Sequence, residues 1–372
     1  HFGSNGYHSS RNGVNDNHGL SVVGKESFMS LEVFKELAGL STTIGKQPDF
    51  VQSGGGNTSV KFGNGLMAIK ASGCRLSEMT ADKGFVVINQ QAVKEYFDRV
   101  DMSSGTDYEK DAVEFVNNNI VDFPGIAKMR PSVEAPFHSF LKCVVIHSHS
   151  VYANILCCSS EGESLASRIF EEELFIWIPY VNPGFTLSWV IKKAVDERVE
   201  KTGVFPKVIF MQNHGVIVSE DTSSSCIALH EEVNRKIIDF FQLPMPYPAP
   251  SIQKVNEGQY KSTGELVTSL FDMSKANYEY LDHYALYPDQ LVYLNKSFAL
   301  KDRKILVEVN KEVLYNASER EASGIEDTLA AYLYVLDIIS KLKLNVSVLN
   351  DEQKAFIYGW EIEQYRLKQA GG

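Results

Sequence analysis

The chain has 372 residues, of which 44% are hydrophobic and 11% aromatic, enough for one large or two ordinary domains with a hydrophobic core. Its formal net charge of −11 excludes nucleic-acid binding as the main activity, because that activity requires a basic surface. Five cysteines without paired spacing, no signal peptide and no membrane-spanning apolar stretch predict a soluble cytoplasmic protein that does not bind membranes.

The first part of the chain divides into a polar start and a long region of alternating elements. The start is rich in Gly, Asn, Ser and His, so residues 1–28 are predicted to be a disordered tail or a cloning remnant. Residues 29–242 carry patterns typical of a layered α/β domain. In chain order we predict a helix at 29–45, strands at 66–70 and 85–89, a helix beginning at Pro131-Ser132, a strand from Val144, a helix at 151–170, a strand at 175–179, a helix at 186–201, strands at 207–211 and 215–219, and a helix through Phe241.

A proline-rich segment separates this domain from the rest of the chain. QLPMPYPAPS contains four prolines, which forbid a helix, and residues 243–251 are therefore predicted to be a linker. Residues 252–372 are predicted to form a smaller α/β domain, with strands at 291–295 and 304–310 and two later helices. No catalytic motif occurs there, so we interpret this part as a scaffold or an interface.

Three histidines follow predicted strands. His147 and His149 are two residues apart, so in an extended chain they leave the same face and could bind one ion, although such a pair alone more often only ends a strand. His214 lies beside a glycine at the end of another strand. Three imidazoles with an open fourth position are typical of a catalytic zinc site. His230, within the following helix, is predicted to face solvent.

Two glycine-containing segments suit an anion. The triple glycine 54–56 is followed by Asn57 and Thr58, and its backbone N–H groups could approach a phosphate. The spacing matches neither the ATP-binding nor the dinucleotide-binding glycine motif. Ser72-Gly73 follows a strand and could add donors on the same side.

Acid–base chemistry is predicted in RPSVEAPFH. Glu134 and His138 are four residues apart on the predicted helix and therefore share one face. Glu134 could act as a base, with Ser132 supplying a hydroxyl, or it could simply favour the positive end of the helix dipole. For His138 we predict a supporting role.

Five motifs occur in this sequence in the order GGGNTSV, IKASG, PSVE, HSH and NHG. The same order is found in the class II aldolase and adducin-head superfamily, which the sequence resembles over residues 30–242. The sequence further resembles the aldolase part of rhamnulose-1-phosphate aldolase/dehydrogenase proteins, in the motifs GGGNTSVK, PSVE, IPYVNPGF and QNHG. The resemblance does not include the dehydrogenase part of those proteins. This resemblance implies a three-layer α/β/α domain with a central, largely antiparallel sheet.

The resemblance also implies roles for individual residues. It implies one Zn²⁺, or another divalent metal, in each subunit, bound by His147, His149 and His214, with Glu134 as the catalytic acid/base. It implies that the substrate phosphate contacts Gly56, Asn57, Thr58, Ser72, Gly73 and Ser132. Val133 departs from the family pattern, which often has a serine there, and Tyr180 is a candidate for a proton-donating tyrosine.

The activity implied by the resemblance is cleavage or formation of a carbon–carbon bond in a ketose phosphate. The products would be dihydroxyacetone phosphate and an aldehyde, formed through an enediolate that zinc stabilises. A 4-epimerase or a dehydratase using the same zinc site is the alternative, and a non-catalytic, adducin-like assembly domain is a third reading. The resemblance also implies a homo-oligomer, specifically a tetramer.

Overall fold

The computed structural model describes residues 17–272, 277–298, 304–308 and 312–359, with side chains from residue 30 onward. Its helices are α1 Asn17–Gly45, α2 Gln90–Asp98, α3 Tyr108–Asn118, α4 Ala135–Phe140, α5 Val151–Cys157, α6 Gly162–Ile169, α7 Phe185–Thr202, α8 Ser223–Phe241, α9 Glu265–Leu270, α10 Tyr278–His283, α11 Lys296–Phe298, α12 Glu319–Lys341 and α13 Asp351–Gly359. Its strands are β1 Asn57–Phe62, β2 Leu66–Lys70, β3 Phe85–Asn89, β4 Val144–Ser148, β5 Phe175–Ile178, β6 Val208–Met211, β7 Gly215–Glu220, β8 Ile252–Asn256, β9 Gln259–Ser262, β10 Ile305–Val307 and β11 Val313–Asn316.

A seven-stranded sheet forms the centre of the molecule, in the order β3-β2-β1-β4-β7-β6-β5. Neighbouring strands are antiparallel except for the parallel pair β5 and β6. In this register His147 of β4 lies opposite Asn57 of β1 on one side and Ile217 of β7 on the other. The predicted central, largely antiparallel sheet is confirmed.

Helices cover both faces of the sheet because the strands carry apolar side chains on both faces. Val145 and Ile217 belong to a core shared with α2, α3, α4 and α7, whereas Ile146 and Val218 belong to a core shared with α1, α5 and α8. The result is the predicted three-layer α/β/α arrangement. Within the described residues, no helix combines the length and apolar character needed to cross a lipid bilayer.

Several predicted boundaries differ from the observed ones. Helix α1 begins at Asn17, so the predicted tail overlaps a helix, and residues 1–16 lie outside the described residues. The predicted helix at Pro131-Ser132 begins only at Ala135, because a turn in which the Ala135 N–H donates to the Ser132 carbonyl precedes it. The predicted helix at 151–170 is split into α5 and α6.

The predicted strand at 291–295 is wrong. Gln290–Asn295 forms a π-helical segment, and all six of its residues are buried. When a short apolar segment is buried on every side, the hydrophobic pattern has no periodicity by which a strand could be distinguished from a helix, and this ambiguity explains the error. The predicted strand at 304–310 is confirmed only as β10, and part of it lies outside the described residues.

The C-terminal part has its own four-stranded sheet, in the order β10-β11-β9-β8, and the long helix α12. Leu329 and Leu333 of α12 belong to the same hydrophobic cluster as α5. Leu243 and Tyr247, from the predicted linker, are also buried in that cluster. The domain boundary at 243–251 stays a prediction, and the two parts share one core across it.

Replacing Leu329 by alanine is expected to lower the free energy of unfolding by about 2–5 kcal/mol, because Leu329 is 0% exposed and its loss leaves a cavity. Urea unfolding followed by circular dichroism measures this change. Since the core is shared, we expect one transition rather than two. Leu31→Ala is the control, because Leu31 is 44% exposed and its loss should change stability by less than about 0.5 kcal/mol.

Candidate metal centre and adjoining cleft

The three histidines predicted to bind metal come together at the ends of strands in the middle of the sheet. His147 lies within β4, and His149 follows the end of this strand, so both project to the same side. His214 lies in the turn between β6 and β7. Each imidazole offers one ligand atom, the three atoms lie within 4.8 Å of one another, and all three residues are buried. These histidines can hold a metal ion.

The protonation of two of these rings fits a metal. The Nδ1–H of His147 donates to the carbonyl of Val216 at 3.1 Å, and Nδ1 of His149 lies 2.7 Å from the Asp289 carboxylate. Both rings therefore direct the lone pair of Nε2 inward, where the two Nε2 atoms are 3.1 Å apart. Burial lowers the pKa of His147 to about 3, so this ring is neutral at physiological pH. Nε2 atoms that face one another with their lone pairs are satisfied by a cation, so the residues fit a divalent metal.

Glu134 stands beside these imidazoles at the start of α4. Its Oε1 lies 3.0 Å from Nε2 of His214, and its Oε2 lies 3.5 Å from Nε2 of His147. Burial raises the pKa of the Glu134 carboxyl, but the imidazoles of His147 and His214 outweigh burial and hold the pKa well below its ordinary value. The carboxylate is therefore ionised and can accept a proton.

A chain of side chains on β1 and α4 orients this carboxylate. The Asn57 amide donates to Oε2 of Glu134 at 2.7 Å, and its oxygen is bonded to Nε2 of His138. The hydroxyl of Ser59 is bonded to Nδ1 of His138 at 2.7 Å. His138 therefore acts through Asn57, which agrees with its predicted supporting role.

A cleft that opens to solvent adjoins the metal centre, and the space in it, counted together with its open mouth, is about 460 Å³. Five of the residues predicted to contact phosphate line it, namely Gly56, Asn57, Ser72, Gly73 and Ser132. The Thr58 hydroxyl does not face the cleft, because it is bonded to Ser41 at 2.7 Å in the core, and a phosphate contact at Thr58 stays a prediction. Successive residues of a strand point to opposite faces, so Thr58 turns away when Asn57 faces the cleft.

Residues 35–237, more than half of the chain, match the family model described as Class II Aldolase and Adducin N-terminal domain. The chain belongs to this family. A curated relative in Bacillus subtilis (strain 168), described as "Uncharacterized oxidoreductase YuxG", is 28% identical over 218 residues. That match covers 55% of this chain and 30% of the relative, so the chain spans less than a third of that protein.

Solved structures of class II aldolases are also similar to this chain. The N-terminal class II aldolase domain of a conserved protein from Thermoplasma acidophilum is 25% identical, with a TM-score of 0.46, covering 55% of this chain and 92% of that one. The L-fuculose-1-phosphate aldolase from Thermus thermophilus is 12% identical, with a TM-score of 0.34, covering 57% of this chain and 94% of that one.

Two charged residues of the cleft were not predicted from the sequence. Lys70, the last residue of β2, is 3% exposed, lines the cleft and donates to the Gly54 carbonyl at 2.8 Å. The position of Lys70, two residues before Ser72-Gly73, could have indicated its place in the cleft. When a strand ends at an anion-binding turn, the last side chain of the strand lies close to the anion. Asp289 also lines the cleft, and it comes from the C-terminal part, where nothing in the sequence marks it.

Two further predictions concern residues near the centre. The prediction that His230 faces solvent is wrong, because α8 packs it against the sheet, where it is 0% exposed and bonded to the Ser148 hydroxyl at 2.7 Å. The Tyr180 hydroxyl is buried and has no hydrogen-bond partner among the described residues. Tyr180 does not line the cleft. Its role as a proton donor stays a prediction.

Proposed function

We propose that this member of the class II aldolase/adducin family is a zinc-dependent aldolase. It cleaves a carbon–carbon bond in a ketose phosphate to give dihydroxyacetone phosphate and an aldehyde, or forms this bond from the same two compounds. The observation that carries this proposal is the ionised Glu134 carboxylate, which lies within 3.5 Å of the imidazoles of His147 and His214, at a cleft where these two rings and His149 could hold one metal ion. An assembly domain without activity has no need for this arrangement.

The metal and the carboxylate have separate tasks in this reaction. Zn²⁺ held by His147, His149 and His214 would supply a Lewis acid for the hydroxyl and carbonyl oxygens of the substrate. Glu134 moves the proton on the carbon next to the carbonyl of dihydroxyacetone phosphate. In the synthetic direction it removes this proton, and the aldehyde oxygen takes up a proton from solvent as the new bond forms. In the cleavage direction the hydroxyl that becomes the aldehyde loses its proton to solvent as the carbon–carbon bond breaks, and Glu134 then returns a proton to the carbon next to the carbonyl.

The side chains around Glu134 support this role. The Asn57 amide holds Oε2 at 2.7 Å and so fixes the plane of the carboxylate. Only 12% of the Glu134 side chain is exposed, and this limited contact with water strengthens the electrostatic interactions of the carboxylate with a bound substrate. A carboxylate held in this way is preorganised for proton transfer.

The phosphate is proposed to bind near the glycine loop. Gly56, whose φ of 67° suits glycine, lines the cleft together with Ser72 and Ser132. Lys70 supplies a positive charge there, which an anion requires when it leaves water. We propose that these groups select a phosphorylated sugar over a neutral one.

The proposal is tested by metal analysis together with a substrate panel. Protein purified without chelator is analysed for metals and then incubated with ketose 1-phosphates and pentulose phosphates while products are followed by NMR. Release of a three-carbon phosphate supports the aldolase. Inversion at one carbon or loss of water instead identifies the epimerase or the dehydratase. A protein that holds no divalent metal and gains no activity with added Zn²⁺ contradicts the whole proposal.

Replacing Lys70 by methionine is expected to raise KM for the phosphorylated substrate by about 10- to 100-fold, because a charge-assisted hydrogen bond contributes about 1.5–3 kcal/mol. Steady-state kinetics measure this change. Lys61→Met is the matched control, because Lys61 is also a lysine of the central sheet but donates to the Leu141 and Lys142 carbonyls away from the cleft. Equal KM values for both variants would show that Lys70 does not bind the phosphate.

We also propose that the protein is a homo-oligomer, specifically a tetramer, on the family resemblance. Multi-angle light scattering tests this directly. A mass of about 42 kDa, the mass of one 41.6 kDa chain, would contradict it.

A further inference from the structure

Asp289, in the C-terminal part, reaches into the metal centre. It lies between α10 and the π-helical segment and is 3% exposed. Its Oδ2 is 2.7 Å from Nδ1 of His149. A side chain on Gly55 would not allow this approach, because its Cβ would lie 2.2 Å from Oδ2 of Asp289 and 2.7 Å from Nδ1 of His149. Glycine at position 55 thus leaves room for the pair.

A second contact joins the C-terminal part to the turn that carries His214. The residue before it, Asn213, has a positive φ of 53°, and its amide donates to the carbonyls of Leu286 and Ser347, each at 2.8 Å. The Ser347 hydroxyl donates to the oxygen of the same amide at 2.8 Å. Both the His149 ring and the turn holding His214 are therefore fixed by residues beyond 252.

We propose that the C-terminal part contributes to the metal centre through Asp289, a positioning residue that orients His149. The Asp289 carboxylate accepts the Nδ1–H of His149, which fixes the orientation of the ring and its tautomer. It also makes Nε2 a stronger ligand, because the negative carboxylate increases the electron density of the ring. This inference rests on the metal centre of the proposed function, and it assigns a task to a region otherwise interpreted as scaffold.

The test compares metal affinity in purified full-length variants. Asp289→Asn keeps the shape of the side chain but removes its charge, and we expect the dissociation constant for Zn²⁺, measured by competition with a fluorescent chelator, to rise by about 10- to 100-fold. The d–d absorption bands of Co²⁺-loaded protein should shift, because the ligand field of His149 changes. Asp282→Asn is the control, because Asp282 pairs with Lys354 in the same C-terminal part and is not among the residues that line the cleft.

The outcomes separate this inference from the proposed function. Asp282→Asn should leave both the affinity within about twofold and the spectrum unchanged. Equal affinity and spectra for Asp289→Asn and the wild type would overturn the role of Asp289 while leaving the metal centre in place. A wild-type protein that binds no Zn²⁺ would overturn both. If Asp289→Asn does not fold, as judged by circular dichroism without metal, Asp289→Ala is measured instead, with the same affinity loss expected.

Discussion

Replacing Glu134 by glutamine is expected to reduce kcat by about 10²- to 10⁴-fold, the range typical for loss of a general acid–base group. Glutamine keeps the size of the side chain and an oxygen for the Asn57 amide, but it cannot take up a proton from carbon. The metal content should stay at the wild-type value, because the three histidines are unchanged. Release of dihydroxyacetone phosphate, followed with a coupled reductase assay, gives the rate, and elemental analysis gives the metal content.

The control for this variant is Glu232→Gln, which removes an exposed carboxylate paired with Lys236 on the surface of α8. Its kcat should match the wild type. If Glu134→Gln retains more than about a tenth of kcat with full metal content, Glu134 is not the proton-transfer group.

Replacing His214 by alanine is expected to abolish stoichiometric Zn²⁺ binding and reduce activity to background, because a site with three ligands rarely keeps its metal with two. Metal binding also stabilises the folded state, by about 2.7 kcal/mol at a free metal concentration 100 times the dissociation constant. Thermal unfolding with and without added Zn²⁺ should therefore show a rise in Tm for the wild type. The variant should show no such rise.

His230→Ala provides the matched control, since His230 is also a buried histidine. Burial lowers the pKa of His230 to about 3. It is bonded to Ser148 rather than directed towards the metal centre. Its loss should lower the Tm but leave the increase caused by Zn²⁺ intact. An equal Zn²⁺ response in His214→Ala would exclude His214 as a ligand.

Local patterns in the sequence predicted that three histidines come together, which the structure shows. The two-residue spacing of His147 and His149 needs only an extended chain to place both rings on one side, and the apolar residues before them ensure that the chain is extended there. The position of His214 in the turn after β6 follows from the same kind of run. These predictions depend on neighbours in the chain, and neighbours are visible in the sequence.

Contacts between distant segments could not be predicted. Asp289 lies 140 residues beyond His149, and no periodicity connects the two. His230 was expected to face solvent because a polar residue on an amphipathic helix usually does, yet the Ser148 hydroxyl gives it a buried partner. In both cases a hydrogen-bond partner from another element decides the position of the side chain.

The fixed pairing of β4 determines which changes of chain length this protein can accept. His147 faces the candidate metal centre and Ser148 faces α8, so inserting or deleting one residue before them within β4 would exchange the two side chains between the faces. The turn at 63–65 joins β1 to β2 and is exposed at Gly63 and Asn64, so added residues there shift no strand. Natural variants and engineered libraries should therefore gain or lose residues at this hairpin and keep the length of β4 constant.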